Sequence, residues 1–263
     1  MAPRRNAGPG PGGRTATATE PDLSPLPADS EKTARVRAMF DTIAPRYDLV
    51  NRLMTFGLDR RWRRATVDAL ALPAGTRILD LACGTGDLSR AAAKRAHAVV
   101  GSDLSAGMLA ANRAGTPLVE SDAGRLPFAD GTFDGLVCGY ALRNFTDLAA
   151  TLAEAARVLR PGGRLAALEV DAPTSGLWRV GFDVWFNKVV PVLGGALSDR
   201  AAYRYLPASV AYLPPTPVLR RLLLDAGFSA VGIRPLAGGL SQLVVATRVG
   251  TPQPPPPSPS TTP

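Results

Sequence analysis

The chain has one histidine, His97, and only two cysteines, Cys83 and Cys138, far apart in the sequence. Neither a Cys₄ nor a Cys₂His₂ zinc site can be assembled from these, and a disulfide framework is excluded, so no structural metal is expected. With no histidine placed to activate them, both thiols are expected to be small packing residues rather than nucleophiles. No apolar run approaches the roughly 18–20 residues that span a bilayer, and the basic N-terminus has no apolar stretch behind it. These absences predict a cytoplasmic protein. A module interleaving aromatic and basic side chains is also lacking, so nucleic acid is not an expected partner, despite a formal net charge of +8.

What is present suits one large domain: 263 residues, 46% of them hydrophobic. Residues 1–30 and 251–263 are rich in Pro, Gly, Ala, Ser and Thr and hold more than half of the 25 prolines. Such segments bury too little apolar surface to offset their ordering entropy and are expected as tails flanking a folded domain at 31–250. The positive charge therefore belongs to the domain. Much of it lies in Leu49 to Arg64, where Arg52, Arg60, Arg61, Arg63 and Arg64 face only Asp59. Composition leaves two readings open, a solvated helix face or a surface for acidic lipid or nucleic acid.

Val36, Met39, Phe40 and Ile43 repeat at helical spacing until Pro45, predicting a short amphipathic helix. A basic segment follows and leads into a helix ending near Leu72. Then the rhythm changes to strand and helix in alternation: Arg77 to Leu81, the glycine turn Ala82 to Gly86, a helix to about Ala96, Ala98 to Asp103, and a helix that Ser105 would cap. Further strands are read at Pro117 to Ser121, Gly135 to Tyr140 and Arg164 to Val170, with a helix from Leu148 to Leu159. This alternation predicts a parallel, doubly wound α/β sheet. Residues 175–217, with Trp178, Phe182, Trp185 and Phe186, lack strand alternation and are expected to form an inserted helical cover. A helix at Val218 to Ala226 and strands at Ser229 to Pro235 and Gln242 to Arg248 complete seven strands.

In such a sheet ligands bind beyond the C-terminal ends of the strands. There the first strand presents Asp80 and the loop Gly84, Thr85 and Gly86, whose glycines let the backbone approach a ligand closely. Asp103 closes the second strand, where a carboxylate can accept both hydroxyls of a ribose, and Asp122 with Ala123 follows the third, beside the adenine. A dinucleotide fold wants a third glycine where Ser89 stands, and that departure favours a sulfonium nucleoside over a nicotinamide cofactor.

Further motifs are Met39-Phe-Asp-Thr-Ile-Ala-Pro-Arg-Tyr-Asp48, Gly57-Leu-Asp-Arg-Arg-Trp-Arg-Arg64, Leu79-Asp-Leu-Ala-Cys-Gly-Thr-Gly86, Ala141-Leu-Arg-Asn-Phe145 and Arg157-Val-Leu-Arg-Pro-Gly-Gly163. With these, the stretch from about Arg35 to Arg248 resembles the UbiE/MenG family of ubiquinone and menaquinone C-methyltransferases. The resemblance implies a class I, Rossmann-like methyltransferase that uses S-adenosyl-L-methionine to methylate the ring of a prenylated quinol, demethylmenaquinol foremost. By the same likeness Thr85, Asp103, Asp122 and Ala123 are expected at the cofactor, beside Gly84 and Gly86 of the glycine turn.

Quinol C-methylation needs chiefly positioning and stabilisation of a phenolate. Arg143 is the candidate for that stabilisation, with Asn144 and Tyr47 positioning the ring. A guanidinium stays protonated, so it is not the base. The lipid substrate and the cationic, Trp-bearing stretch Leu49 to Arg64 together imply peripheral contact with an anionic membrane. Methylation of another small aromatic metabolite is the alternative, an NAD-dependent or nonenzymatic nucleotide-binding protein the third reading, and a homodimer is left open.

Overall fold

The computed structural model describes residues 29–171, 176–189, 192 and 209–250. Residues 1–28 and 251–263 of the expected tails, residues 175, 190–191 and 193–208 of the expected helical cover, and the side chains of Trp178, Phe182 and Phe186 lie outside the described residues, while Asp29 and Ser30, expected in the N-terminal tail, begin α1. Seven strands form one sheet in the order β3-β2-β1-β4-β5-β7-β6. They are β1 (Arg77–Leu81), β2 (Ala98–Asp103), β3 (Leu118–Glu120), β4 (Phe133–Gly139), β5 (Leu159–Val170), β6 (Phe228–Leu236) and β7 (Ser241–Arg248). The eight described α-helices are α1 (Asp29–Ile43), α2 (Tyr47–Met54), α3 (Asp59–Ala69), α4 (Asp87–Ala93), α5 (Ala106–Ala110), α6 (Leu148–Val158), α7 (Gly176–Val184) and α8 (Thr216–Asp225).

The first five strands are parallel, as the βα alternation requires. The expectation of an entirely parallel sheet needs correction at one place: β7 runs antiparallel to both β5 and β6. Only the short turn Ala237–Gly239 joins β6 to β7, and a parallel pairing would need a crossover of a dozen residues or more. Boundaries also shift. The helix expected to end near Leu72 stops at Ala69, and the one expected to reach Ala96 stops at Ala93.

Alternation along the strands divides the core in two. Ile78, Val99, Val137 and Ala166 face one way, against Val67 of α3, Leu70 just after it, and Leu88, Ala91 and Ala92 of α4. Leu79, Leu81, Leu136, Cys138, Leu165 and Ala167 face the other, against α6 and α8. Two helix starts are fixed as their sequences suggest: the Ser105 hydroxyl accepts from the Met108 amide, and the Asp147 carboxylate accepts from Ala150. Each such cap contributes about 1 kcal/mol. The crevice beyond the C-terminal ends of β1 and β4, where the strand order reverses, is the site that this topology opens.

Candidate functional site

A cavity of about 600 Å³ occupies that crevice, roofed by α1 and α2. Its volume lies within the range that holds ligands of nucleoside size. The strand-end loops give it a polar floor. Asp103 accepts the Gly84 amide on Oδ2 at 2.8 Å and the Ser105 amide on Oδ1 at 2.9 Å, which fixes the carboxylate and leaves each oxygen a second lone pair. Burial raises its pKa. Asp122 sits two residues beyond β3 and turns its Oδ1 back to the Gly124 amide at 2.8 Å, placing Asp122, Ala123 and Gly124 on the cavity wall.

The glycine loop is tight for reasons of geometry. Gly86 has φ +88°, and a Cβ there would lie 2.5 Å from Asn112 Oδ1. Asn112 in turn holds the loop by donating from Nδ2 to the Gly84 carbonyl at 2.8 Å. Gly84 itself, at φ +51°, has only Met108 Sδ near a notional Cβ, at 3.9 Å. Its surface is left to the ligand. The Thr85 hydroxyl, expected at the cofactor, donates to Asp48 of α2, so Thr85 reaches the cavity wall while tying the roof to the loop.

Beneath the loop lies Asp80, wholly buried. Its Oδ2 accepts the Ser89 hydroxyl at 2.6 Å, but Oδ1 has no hydrogen-bond partner among the described residues. Burial pushes this carboxyl up to about 7. An unpartnered buried carboxylate oxygen on a cavity wall suits a cationic group, and two further carboxylates stand ready for ribose and base. The donor set therefore fits S-adenosylmethionine, a sulfonium nucleoside with an ammonium group, better than it fits a pyrophosphate, which would meet carboxylates where it needs cations.

The other end of the cavity is built by α1, α2 and the segment after β4. Tyr47, Asn144, Phe40 and Phe145 line it, so two of the three residues expected to carry catalysis come together with the cofactor carboxylates. Burial raises the pKa of Tyr47, keeping its phenol protonated. Arg143 is placed differently. It is buried behind the wall rather than on it, with Nη1 donating to Glu169 and to the Tyr140 carbonyl at 2.8 Å, and Nε donating to the Ser209 hydroxyl at 2.9 Å.

Two site residues escaped the sequence reading. Arg63 is one of five arginines in the basic stretch, yet it is buried, lines the cavity and bridges Asp59 at 3.5 Å and Asp87 at 3.4 Å. Its helical phase could have shown this, since it shares a stripe with Trp62, Thr66, Val67 and Leu70, all buried. Glu169 was visible as a lone acid in an apolar strand, Leu165 to Val170, where burial demands a cationic partner.

The fold and the strand-end site together define a class I S-adenosylmethionine-dependent methyltransferase. Solved structures agree on the fold. A Thermotoga maritima protein described as a SAM-dependent methyltransferase, possible histamine N-methyltransferase, matches with TM-score 0.58 at 19% identity, covering 81% of this chain and 99% of that one. Phosphoethanolamine N-methyltransferase 2 of Haemonchus contortus, in complex with S-adenosyl-L-methionine, matches with TM-score 0.53 at 15% identity, covering 72% of this chain and 52% of that one.

The chain belongs to the ubiE/COQ5 methyltransferase family, whose model matches residues 28–251. It is 46% identical over 201 residues to a demethylmenaquinone methyltransferase of Thermus thermophilus, covering 73% of this chain and 91% of that one. A demethylmenaquinone methyltransferase of Mycolicibacterium gilvum is 43% identical, covering 81% and 94%. The ubiquinone/menaquinone biosynthesis C-methyltransferase UbiE of Geobacter sulfurreducens is 40% identical, covering 81% and 88%. No described helix is long and apolar enough to cross a membrane.

Proposed function

We propose that this chain transfers a methyl group to a ring carbon of a prenylated quinol, with demethylmenaquinol as the acceptor and menaquinol as the product. The observation that carries the reading is that the carboxylates Asp80, Asp103 and Asp122 share one cavity with an aromatic, amide-bearing wall of Phe40, Tyr47, Asn144 and Phe145. The relatives named for demethylmenaquinone supply the acceptor class.

When bound, adenosylmethionine supplies an electrophilic methyl that a quinol carbon, made nucleophilic by ionisation of the neighbouring hydroxyl, can attack in line, the sulfonium sulfur leaving as a neutral thioether. The chain's own residues position and shield. Asp103 would hold the ribose hydroxyls, Asp122 and Ala123 the base, and Asp80 the cationic end. Gly84 and Gly86 admit the backbone approach, and Thr85 fastens α2 across it. Tyr47, protonated and aromatic, offers a face and a hydroxyl to the acceptor ring, and the Asn144 amide can accept or donate toward a quinol oxygen. Phe40, Tyr47, Asn144 and Phe145 are not bases at neutral pH, so the quinol proton leaves through water or a nearby polar group.

The acceptor is lipid-borne, and the outer face of the roof suits that origin. Leu49 and Leu53 lie one helical turn apart on the exposed side of α2, while Tyr47 and Val50 point inward. Phe56, 69% exposed, stacks on Trp185 at 4.5 Å, and Val180 and Val184 extend the apolar area. Arg46, Arg52, Arg60, Arg61, Arg64 and Lys188, close in sequence to these apolar residues, are at least partly exposed. We read this surface as the peripheral contact with an anionic bilayer.

The test of the acceptor is the quinone pool. Cells lacking this protein should accumulate the demethylated quinone by mass spectrometry, and the purified enzyme should convert demethylmenaquinol with adenosylmethionine. An unchanged pool with no conversion in vitro would assign the cavity to another aromatic acceptor.

A further inference from the structure

Tyr140, the residue after β4, has φ +60°, a left-handed conformation uncommon for a bulky side chain. It lines the cavity between Gly139 and Ala141. A strained residue of this kind persists only where its surroundings over-determine it. Here they do. The Tyr140 amide donates to the Leu168 carbonyl at 2.7 Å, extending the β4–β5 ladder by one bond. Its carbonyl accepts Arg143 Nη1 at 2.8 Å and Asn144 Nδ2 at 3.3 Å. Arg63 lies over its ring, 5.6 Å from the centroid.

The grip on that carbonyl is itself anchored. Glu169, fully buried at the end of β5, accepts Arg143 Nη1 and the Val170 amide on Oε1, and the Arg143 amide at 3.4 Å on Oε2. Arg143 Nε reaches the Ser209 hydroxyl, so one guanidinium ties together the turn after β4, the end of β5 and the chain entering α8. A planar fork can serve three acceptors in fixed directions, which a lysine ammonium does not reproduce. Arg143 is absent from the cavity wall, whereas Tyr140, Ala141, Asn144 and Phe145 form it.

We propose that Arg143 and Glu169 are a positioning pair for methyl transfer: they lock Tyr140 in its left-handed conformation and so set the wall on which Asn144 meets the acceptor, without touching the acceptor themselves. The pair converts an ionic contact behind the wall into a fixed ring-to-methyl geometry in front of it. The proposal rests on the methyltransferase reading of the cavity, and its test carries one readout that needs no acceptor.

The test compares wild type, Arg143→Lys, Glu169→Gln, Tyr140→Gly and the double variant Arg143→Lys/Tyr140→Gly, with demethylmenaquinol as acceptor. Each of the first two single variants should lower kcat by about ten- to a hundredfold, the loss typical of reactant misplacement, with adenosylmethionine affinity within about twofold of wild type. The midpoint of the kcat–pH profile should stay in place, because no charge on the acceptor is lost. Glycine adopts the left-handed conformation unaided, so in the Tyr140→Gly background Arg143→Lys should add less than about a twofold further loss.

In the free protein, amide exchange over residues 139–145 should quicken at least about tenfold in Arg143→Lys. If that exchange is unchanged, the lock does not exist, whatever the acceptor proves to be. Wild-type inactivity toward demethylmenaquinol would count against the acceptor alone and leave the exchange result to decide. Losses that multiply in the double variant, or a pH midpoint that climbs by a unit or more in Arg143→Lys, would instead make Arg143 a direct partner of the phenolate and overturn the proposal. Tyr140→Gly also tests folding, since it retains the Arg143–Glu169 pair intact.

Discussion

The two ends of the cavity hold their side chains by different means. At the cofactor end, the three carboxylates are fixed by atoms close in sequence or one strand away: Asp103 by Gly84 and Ser105, Asp122 by Gly124, Asp80 by Ser89. At the acceptor end the fixing contacts span the chain. Arg143 is held by Glu169 and Ser209, 26 and 66 residues further along the chain. Local fixation makes the cofactor floor a property of the sheet topology, and the fold itself recurs in proteins at 15% and 19% identity. Distant fixation lets the acceptor wall be respecified without disturbing the floor.

The sharpest way to break this contrast is Asp103→Ala. It removes the acceptor for two loop amides as well as the ribose-facing lone pairs, and hydrogen bonds to a charged group contribute about 1.5–3 kcal/mol each. Adenosylmethionine affinity should fall by about a hundredfold or more by calorimetry. A loss under tenfold would mean that the ribose is not read at this carboxylate.

Asp80 gives a smaller and more diagnostic effect. Its carboxyl is raised from 3.8 to about 7 by burial. Between those values the folded protein holds a proton that the unfolded chain has released, so this group's contribution to stability falls as pH rises through that window and levels off above about 7. A cation settling beside Oδ1 favours the carboxylate. Cofactor binding should therefore release a proton at pH 6 but not at pH 8, with affinity about tenfold tighter at the higher pH. Calorimetry in two buffers of different ionisation enthalpy measures the proton directly. Asp80→Asn should abolish both the release and the pH dependence, and their survival in that variant would transfer the role to another group.

The same contrast explains what could be seen in the chain before any coordinates. The cofactor floor was legible: Gly84, Thr85, Gly86, Asp103, Asp122 and Ala123 all lie on the cavity wall or in its loop, because strand ends in register are countable from the sequence. The acceptor wall was legible only in part. Tyr47 and Asn144 line the cavity, but Arg143 is engaged by Glu169, a partner 26 residues away that local spacing does not reveal. Thr85 was read as a ligand contact, and its hydroxyl is given to Asp48, another long-range pairing. The antiparallel β7 was hidden because a strand's direction depends on what joins it to its neighbour. Arg63 was hidden by its company, four arginines of the same type on the outer phases of the same stretch.

The smallest expected effect probes the outer face of the acceptor half, where charge and apolar area are separable. Each basic residue near an anionic bilayer contributes about 1 kcal/mol, so Arg61→Gln should weaken binding to phosphatidylglycerol-containing vesicles by about fivefold at low salt, and the loss should shrink as salt screens the surface. Phe56 acts by burial instead. It adopts φ +51°, and that strained turn presents the ring outward rather than into the core. Phe56→Ser should therefore weaken vesicle binding by a factor that salt does not change, while leaving adenosylmethionine affinity intact, since Phe56 does not line the cavity. Co-sedimentation across a salt series distinguishes the two responses. Identical salt dependence in both variants, or wild-type binding that ignores anionic lipid, would remove the bilayer from this face. A concentration-dependent rise in mass abolished by Phe56→Ser would assign the face to a second copy of the chain.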